Sequence, residues 1–134
     1  MVPSFGVRVD GGWLLANDRG EFGGELVFEP DGKPIRLVAR GHFEDVHTLP
    51  GGRRVATEGL SHMGFDHGAV YEVRRNGDEW ALRFWRRLPG APITSWVRVD
   101  GTLLVNTARG SVVIHPDGRT ELAACSKNPD TTQD

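Results

Sequence analysis

Apolar and polar residues alternate in short runs along almost the whole chain, and each run is closed by glycine, aspartate, asparagine or proline. No stretch repeats its apolar positions at the 3.6-residue period of an amphipathic helix, so the pattern predicts strands throughout. The first four fall at Phe5–Val9, Trp13–Asn17, Glu25–Glu29 and Ile35–Ala39. Four more are expected at Glu44–Leu49, Arg53–Glu58, Ala69–Arg75 and Trp80–Leu88. The last four are Thr94–Val99, Thr102–Thr107, Ser111–His115 and Thr120–Cys125. Within the second strand of the first and third groups, Leu14-Leu15-Ala16 and Leu103-Leu104-Val105 are apolar on both faces. Such a strand needs a cover on each side.

The grouping in fours rests on a repeat. Val9-Asp10-Gly11-Gly12-Trp13-Leu14-Leu15-Ala16-Asn17 is echoed by Leu49-Pro50-Gly51-Gly52-Arg53-Arg54-Val55-Ala56-Thr57, and again by Val99-Asp100-Gly101-Thr102-Leu103-Leu104-Val105-Asn106-Thr107. A second turn signal follows each copy, at Asp31-Gly32, Asn76-Gly77 and Asp117-Gly118. These dipeptides suit type I′ hairpin turns, whose central residues both need positive φ. Two hairpins per unit at a period of about 40–50 residues mark repeated sheets that stack on one another.

This layout resembles that of β-propeller proteins with four-stranded blades, over residues 1–125. The resemblance implies an all-β fold of three propeller-like blades, at about 5–40, 43–88 and 93–125, followed by a polar tail at 126–134. It covers the repeat pattern only. No Trp-Asp dipeptide stands where one propeller family carries it, and no other blade signature is present, so no residue roles come with it. Propellers close with four to eight blades, and three leave two faces open. The expectation is a half-propeller: either two chains form a homodimeric six-bladed ring, or the chain is a portion of a longer propeller.

Composition narrows the function classes. Of 134 residues, 38% are hydrophobic and 25% charged, with 18 glycines and a net charge of −2, which suits a turn-rich globular protein and argues against nucleic-acid or membrane partners. No apolar run approaches the ~20 residues of a membrane span. Met1-Val2-Pro3-Ser4-Phe5 has neither the basic nor the apolar region of a signal peptide. The expected compartment is the cytoplasm, or the periplasm or exterior if the sequence begins downstream of the native start. The single cysteine, Cys125, excludes an intrachain disulfide and reads as a small packed hydrophobe. Arg74, Arg75, Arg83, Arg86 and Arg87 lie among Trp80, Phe84 and Trp85. On outer strands this stripe is expected to be a solvated face that protects an edge.

Candidate functional residues sit in the connections between the second and third strands of each unit, which are long and divergent where the hairpin turns are stereotyped. The first contributes Asp18, Arg19, Glu21 and Phe22; the second, between Glu58 and Gly68, contributes His62, Met63, Phe65, Asp66 and His67; the third is reduced to Ala108-Arg109-Gly110. Met63 and Phe65 among polar neighbours suggest an adaptable contact surface with apolar anchors. The leading expectation is a non-enzymatic scaffold that binds a protein partner through these loops, without a cofactor; a bacterial immunity-type protein would be one example. The alternative is a propeller hydrolase or lactonase holding one divalent ion, calcium or zinc, with Glu58, His62, Asp66 and His67 as ligands. Asn17, Glu58 and Asn106, near the ends of equivalent strands, are similar to the acidic and amide ligands of gluconolactonase-like propeller enzymes. His42 and His47 suggest packing or caps.

Overall fold

Residues 5–18, 23–62, 65–77 and 79–123 are described by the computed structural model. Twelve strands form, in the expected order and close to the expected bounds, and no helix accompanies them among the described residues. β1 (Phe5–Val9), β2 (Gly12–Asp18), β3 (Gly24–Pro30) and β4 (Arg36–Arg40) make the first antiparallel sheet in chain order. β5 (Phe43–Thr48), β6 (Arg54–His62), β7 (Phe65–Asn76) and β8 (Glu79–Leu88) make the second. β9 (Pro92–Val97), β10 (Leu103–Thr107), β11 (Gly110–Ile114) and β12 (Thr120–Leu122) make the third. The fold is all-β, with three four-stranded sheets compatible with the propeller-like expectation and not closed into a ring within the chain. No described helix is long and apolar enough to cross a membrane. Cys125 and the polar tail lie outside the described residues.

The turns differ from the expected type in an instructive way. Only the first repeat closes on a two-residue turn, with Val9 paired to Gly12 around Asp10 and Gly11, whose φ is 79°. The second and third repeats take an extra residue. Leu49 N–H donates to Arg53 O at 2.7 Å, and Arg98 N–H to Thr102 O at 2.7 Å. In both, a glycine in the left-handed region ends the turn, Gly52 at φ 95° and Gly101 at φ 88°. This is the three-residue hairpin whose last loop position favours glycine. The extra residue shifts the second repeat by one against its sequence alignment. In register, Leu14 is equivalent to Val55 and Leu104, whereas the Gly-Gly pairs had aligned it with Arg54.

That register explains how the sheets stack. Leu14 and Ala16 of β2, with Leu26 and Phe28 of β3, face Phe43, Val46, Ala56 and Val73 of the second sheet. Val55, Val70, Leu49 and Leu88 leave the other side of the second sheet to meet Leu103, Val105, Val112 and Ile114 of the third. Leu14, Val55, Leu103 and Val105 are 0% exposed. Complete burial of such side chains is worth about 1.5–3 kcal/mol each. β5, the first strand of the middle sheet, runs against β1 and β2 on one side and β9 on the other, while β4 lies against β8. Among the described residues the second sheet is therefore covered on both faces, and the first and third on one.

Two arginines of the aromatic stripe fasten these junctions, which corrects the expectation of a wholly solvated face. Arg75 stacks over Trp80 at 4.8 Å and Phe28 at 5.0 Å from the ring centroids, and donates to Asp10 O at 2.6 Å. It thus pins the β7–β8 turn of the second sheet to the β1–β2 turn of the first. Arg86 donates to Gly118 O in the β11–β12 turn and stacks on Trp85, which Arg53 also covers at 4.7 Å while donating to Pro116 O at 2.7 Å. Arg74, Arg83 and Arg87 are exposed, as expected of an edge. Arg75→Ala should therefore lower stability by about 1–2 kcal/mol, from the lost stacking and charged hydrogen bond. Arg74→Ala should stay within about 0.5 kcal/mol of wild type. Parallel chemical denaturation of the two variants checks the difference.

Candidate functional site

The connection between β6 and β7, expected as a loop, is a hairpin arm. The two strands stay paired to His62 and Phe65, past the equivalent point at which the third sheet ends its pairing, Thr107 with Gly110. The arm can run this far because Gly59 pairs with Gly68 where the link from β8 to β9 crosses it. A side chain at Gly68 would collide with the Gly90 carbonyl, and one at Gly59 with the His67 carbonyl and the Pro92 ring. Asp66 then anchors the arm. Its carboxylate accepts from Ala91 N–H at 2.7 Å and pairs with Arg109 Nε at 2.6 Å. The Ala91 amide, first, and the Arg109 guanidinium hold the Asp66 carboxyl below the usual aspartate range. Segments of the second and third sheets thus meet at one end of the stack.

A second cluster lies between the first strands of those sheets. A β-bulge between Phe43 and Asp45 re-aims the chain there and brings two successive acidic side chains, Glu44 and Asp45, into one seam. Glu44 Oε1 accepts from Thr57 Oγ1 at 2.8 Å and from Ser95 Oγ at 2.6 Å. His47 Nε2 lies 2.7 Å from Ser95 Oγ and 3.5 Å from Asp45 Oδ2. Thr57 is 0% and Ser95 8% exposed. One polar relay thereby ties β5, β6 and β9, where the sequence suggests for His47 only packing or a cap. The signal available was Glu44-Asp45 beside His47 in a strand whose neighbours Phe43 and Val46 are core residues.

Burial sets the protonation states. It pushes the Asp45 carboxyl up to about 6, aided by repulsion from Glu44 and opposed by the Val46 N–H. Burial also raises the Glu44 carboxyl, against the hydrogen bonds from Ser95 and Thr57. The His47 imidazole falls to about 4 for the same reason, so it is neutral near pH 7. Ser95 has one proton and gives it to Glu44, so His47 supplies Nε2–H to the serine oxygen. An imidazole in that tautomer presents no basic nitrogen to the hydroxyl, and the nearby carboxylate of Asp45 approaches the same Nε2 rather than Nδ1. The constellation has the residue types of a nucleophilic triad without its proton path. It works as a lock between sheets.

Of the residues expected to bind a partner, Asp66 and His67 are described in full, with His67 exposed on the arm. Asp18, His62 and Phe65 end β2, β6 and begin β7 respectively. Arg19, Glu21, Phe22 and Met63 lie outside the described residues. Glu58 Oε2 accepts from His42 N–H at 3.3 Å. With Asp66 engaged by Arg109, two of the four named metal ligands are occupied by protein groups. Among the described residues no three His, Cys, Asp or Glu side chains converge on a point that could hold an ion. Counting from the turns, Asn17 is equivalent to Glu58 and Thr107, and Asn106 falls one position short. Its amide donates to Thr94 Oγ1 at 3.0 Å and accepts from Ser111 Oγ at 2.6 Å on the outer face of the third sheet. The chain matches no protein-family model, no curated protein and no solved structure.

The seam has a pH signature with two opposed limbs. Asp45, raised in the folded state, contributes stability present below about pH 4 and lost as pH rises through about 6. His47, lowered, contributes stability present above about pH 6.5 and lost as pH falls through about 4. Asp45→Asn keeps an acceptor for the Val46 amide and removes only the first limb. Its melting temperature should exceed that of wild type at pH 8, by a few degrees after discounting for partial solvent screening. The two should converge near pH 4. Thermal melts across that range check the crossover; an offset independent of pH would assign Asp45 no titrating role.

Proposed function

We infer that the chain is a propeller-type binding scaffold that engages a protein partner through the end of the stack bearing the β6–β7 arm, without chemistry of its own. The observation that carries this reading is the anchored arm: a hairpin pinned by Asp66 to Arg109 in the β10–β11 turn and to Ala91 in the β8–β9 link, with His67 exposed along it. A braced hairpin lowers the ordering cost of binding, and the sequence between its paired ends holds the adaptable apolar residues Met63 and Phe65. The polar seam supports the same reading, because its serine is hydrogen-bonded toward a carboxylate and nearly sealed. The depression beside β9, about 510 Å³ and lined by Trp96–Asp100, is open to solvent.

The test is a triple substitution, Met63→Ser, Phe65→Ser and His67→Ala, which leaves Asp66 and the two glycines in place. A partner is first identified by in-cell cross-linking to the wild-type chain and then purified. The variant should melt within about 2 °C of wild type, as expected of surface changes, and bind that partner at least ten-fold more weakly, a loss of about 1.4 kcal/mol. Unchanged affinity would remove the arm from the interface. A loss of several kcal/mol in stability, on the scale of a buried aromatic, would make the tip part of the core and overturn the reading.

A further inference from the structure

Each sheet has a forward face, turned toward the next sheet in the chain, and a backward face, turned toward the previous one. In β2, β6 and β10 the forward positions are Leu14, Val55 and Leu104, and the backward positions one residue later are Leu15, Ala56 and Val105. At the two internal junctions a forward face meets a backward one: Leu14 is buried against the sheet holding Ala56, and Val55 against the sheet holding Val105. Two faces have no counterpart among the described residues, and they are of opposite kinds. The backward face of the first sheet carries the register row Leu15, Val27 and Leu37, in which Val27 is buried, Leu15 half-buried and Leu37 exposed, with Trp13 alongside at 42% exposure. The forward face of the third sheet carries the row Trp96, Leu104 and Val113, in which Val113 is buried, Leu104 half-buried and Trp96 45% exposed.

We propose that a second copy of this chain covers both, its first sheet docking on the third sheet of the partner and the reverse. This inference is independent of the arm's role. It follows from the continuity of the internal junctions: the register positions sealed inside the stack by Leu14 and Val105 recur at its ends as Leu104 and Leu15, which are only half-buried there. A two-fold axis satisfies the two open faces at once with one forward-to-backward junction used twice, so the assembly closes instead of growing. Two copies bring six sheets, within the four to eight at which such rings close. Closure also removes large apolar sheet faces of the kind that otherwise mark interaction sites or aggregation hazards.

The experiment is light scattering coupled to size exclusion on the full chain and on Trp13→Lys and Trp96→Glu, both at exposed positions that leave the two internal cores untouched. The wild type should show about twice the 14.7 kDa chain mass at low micromolar concentration. Each variant alone should be monomeric by scattering and folded by circular dichroism, with the dimer dissociation constant raised at least ten-fold. Mixing the two should restore dimer, because one junction is then wild type and the other pairs lysine with glutamate. A wild-type monomer would overturn the proposal and leave the faces to further sheets or a different protein. Dissociation by only one of the variants would overturn it too, since a dimer through one like pair of faces ignores the other. Dimers in both variants would place the interface elsewhere.

Discussion

A four-stranded sheet whose central strands are apolar on both faces has to be covered twice, and the middle sheet of this protein is the one that meets the requirement within the chain. Val55 and Ala56 are neighbours in sequence, point to opposite sides of β6, and are both 0% exposed. Neither hydrophobic cluster exists without that sheet, because one is built on its backward face and the other on its forward face. The first and third sheets are thus held chiefly by what the second presents to them. Their own hairpins would be marginal alone, as isolated two-stranded hairpins are in water.

Apolar stacking is non-directional, so something else has to fix how one sheet sits on the next. Here that is done at two levels of the stack. Toward the hairpin turns, Arg75 and Arg86 reach from the second sheet to turn carbonyls of the first and third while their cationic planes lie on Trp80 and Trp85. Toward the first strands, the Thr57–Glu44–Ser95–His47 relay joins the second sheet to the third. Directional polar contacts placed around an apolar seam specify one arrangement among many that would bury similar area. The burial that makes the relay specific also perturbs its titration, so the same seam that orders the stack is the one that responds to pH.

Strand positions and the three-fold grouping were legible because they depend on local alternation and turn residues, which every unit repeats. The offset of the second repeat was not. Gly11-Gly12 and Gly51-Gly52 look alike in sequence, yet the first pair lies in a two-residue turn and its β2 flank, and the second ends a three-residue one. The arm was read as a loop because Gly59 and Gly68 are weak strand formers; a crossing segment, Gly90 to Pro92, makes glycine the residue that fits there. Arg75 and Arg86 looked like edge charges because their partners are backbone carbonyls of distant turns, which leave no mark in composition. The Glu44–Ser95 contact joins residues far apart in sequence, and only the stacking of β5 on β9 brings them together. For the arm, sequence located the segment and singled out Asp66, as a partner contact or metal ligand, but not its pairing with Arg109 in the turn of the following sheet.

Native-state hydrogen exchange, resolved to single amides, tests most directly whether the middle sheet organises the molecule. If it does, the amides of Val55, Ala56, Val70 and Tyr71 in β6 and β7 exchange only through global unfolding and are the slowest in the protein. Those of β1 and β12 open earlier through sub-global steps, and destabilising the middle sheet by a core substitution such as Val70→Ala accelerates exchange in all three sheets together. Exchange in three independent blocks, with the first and third sheets keeping their protection when Val70 is truncated, would contradict the account.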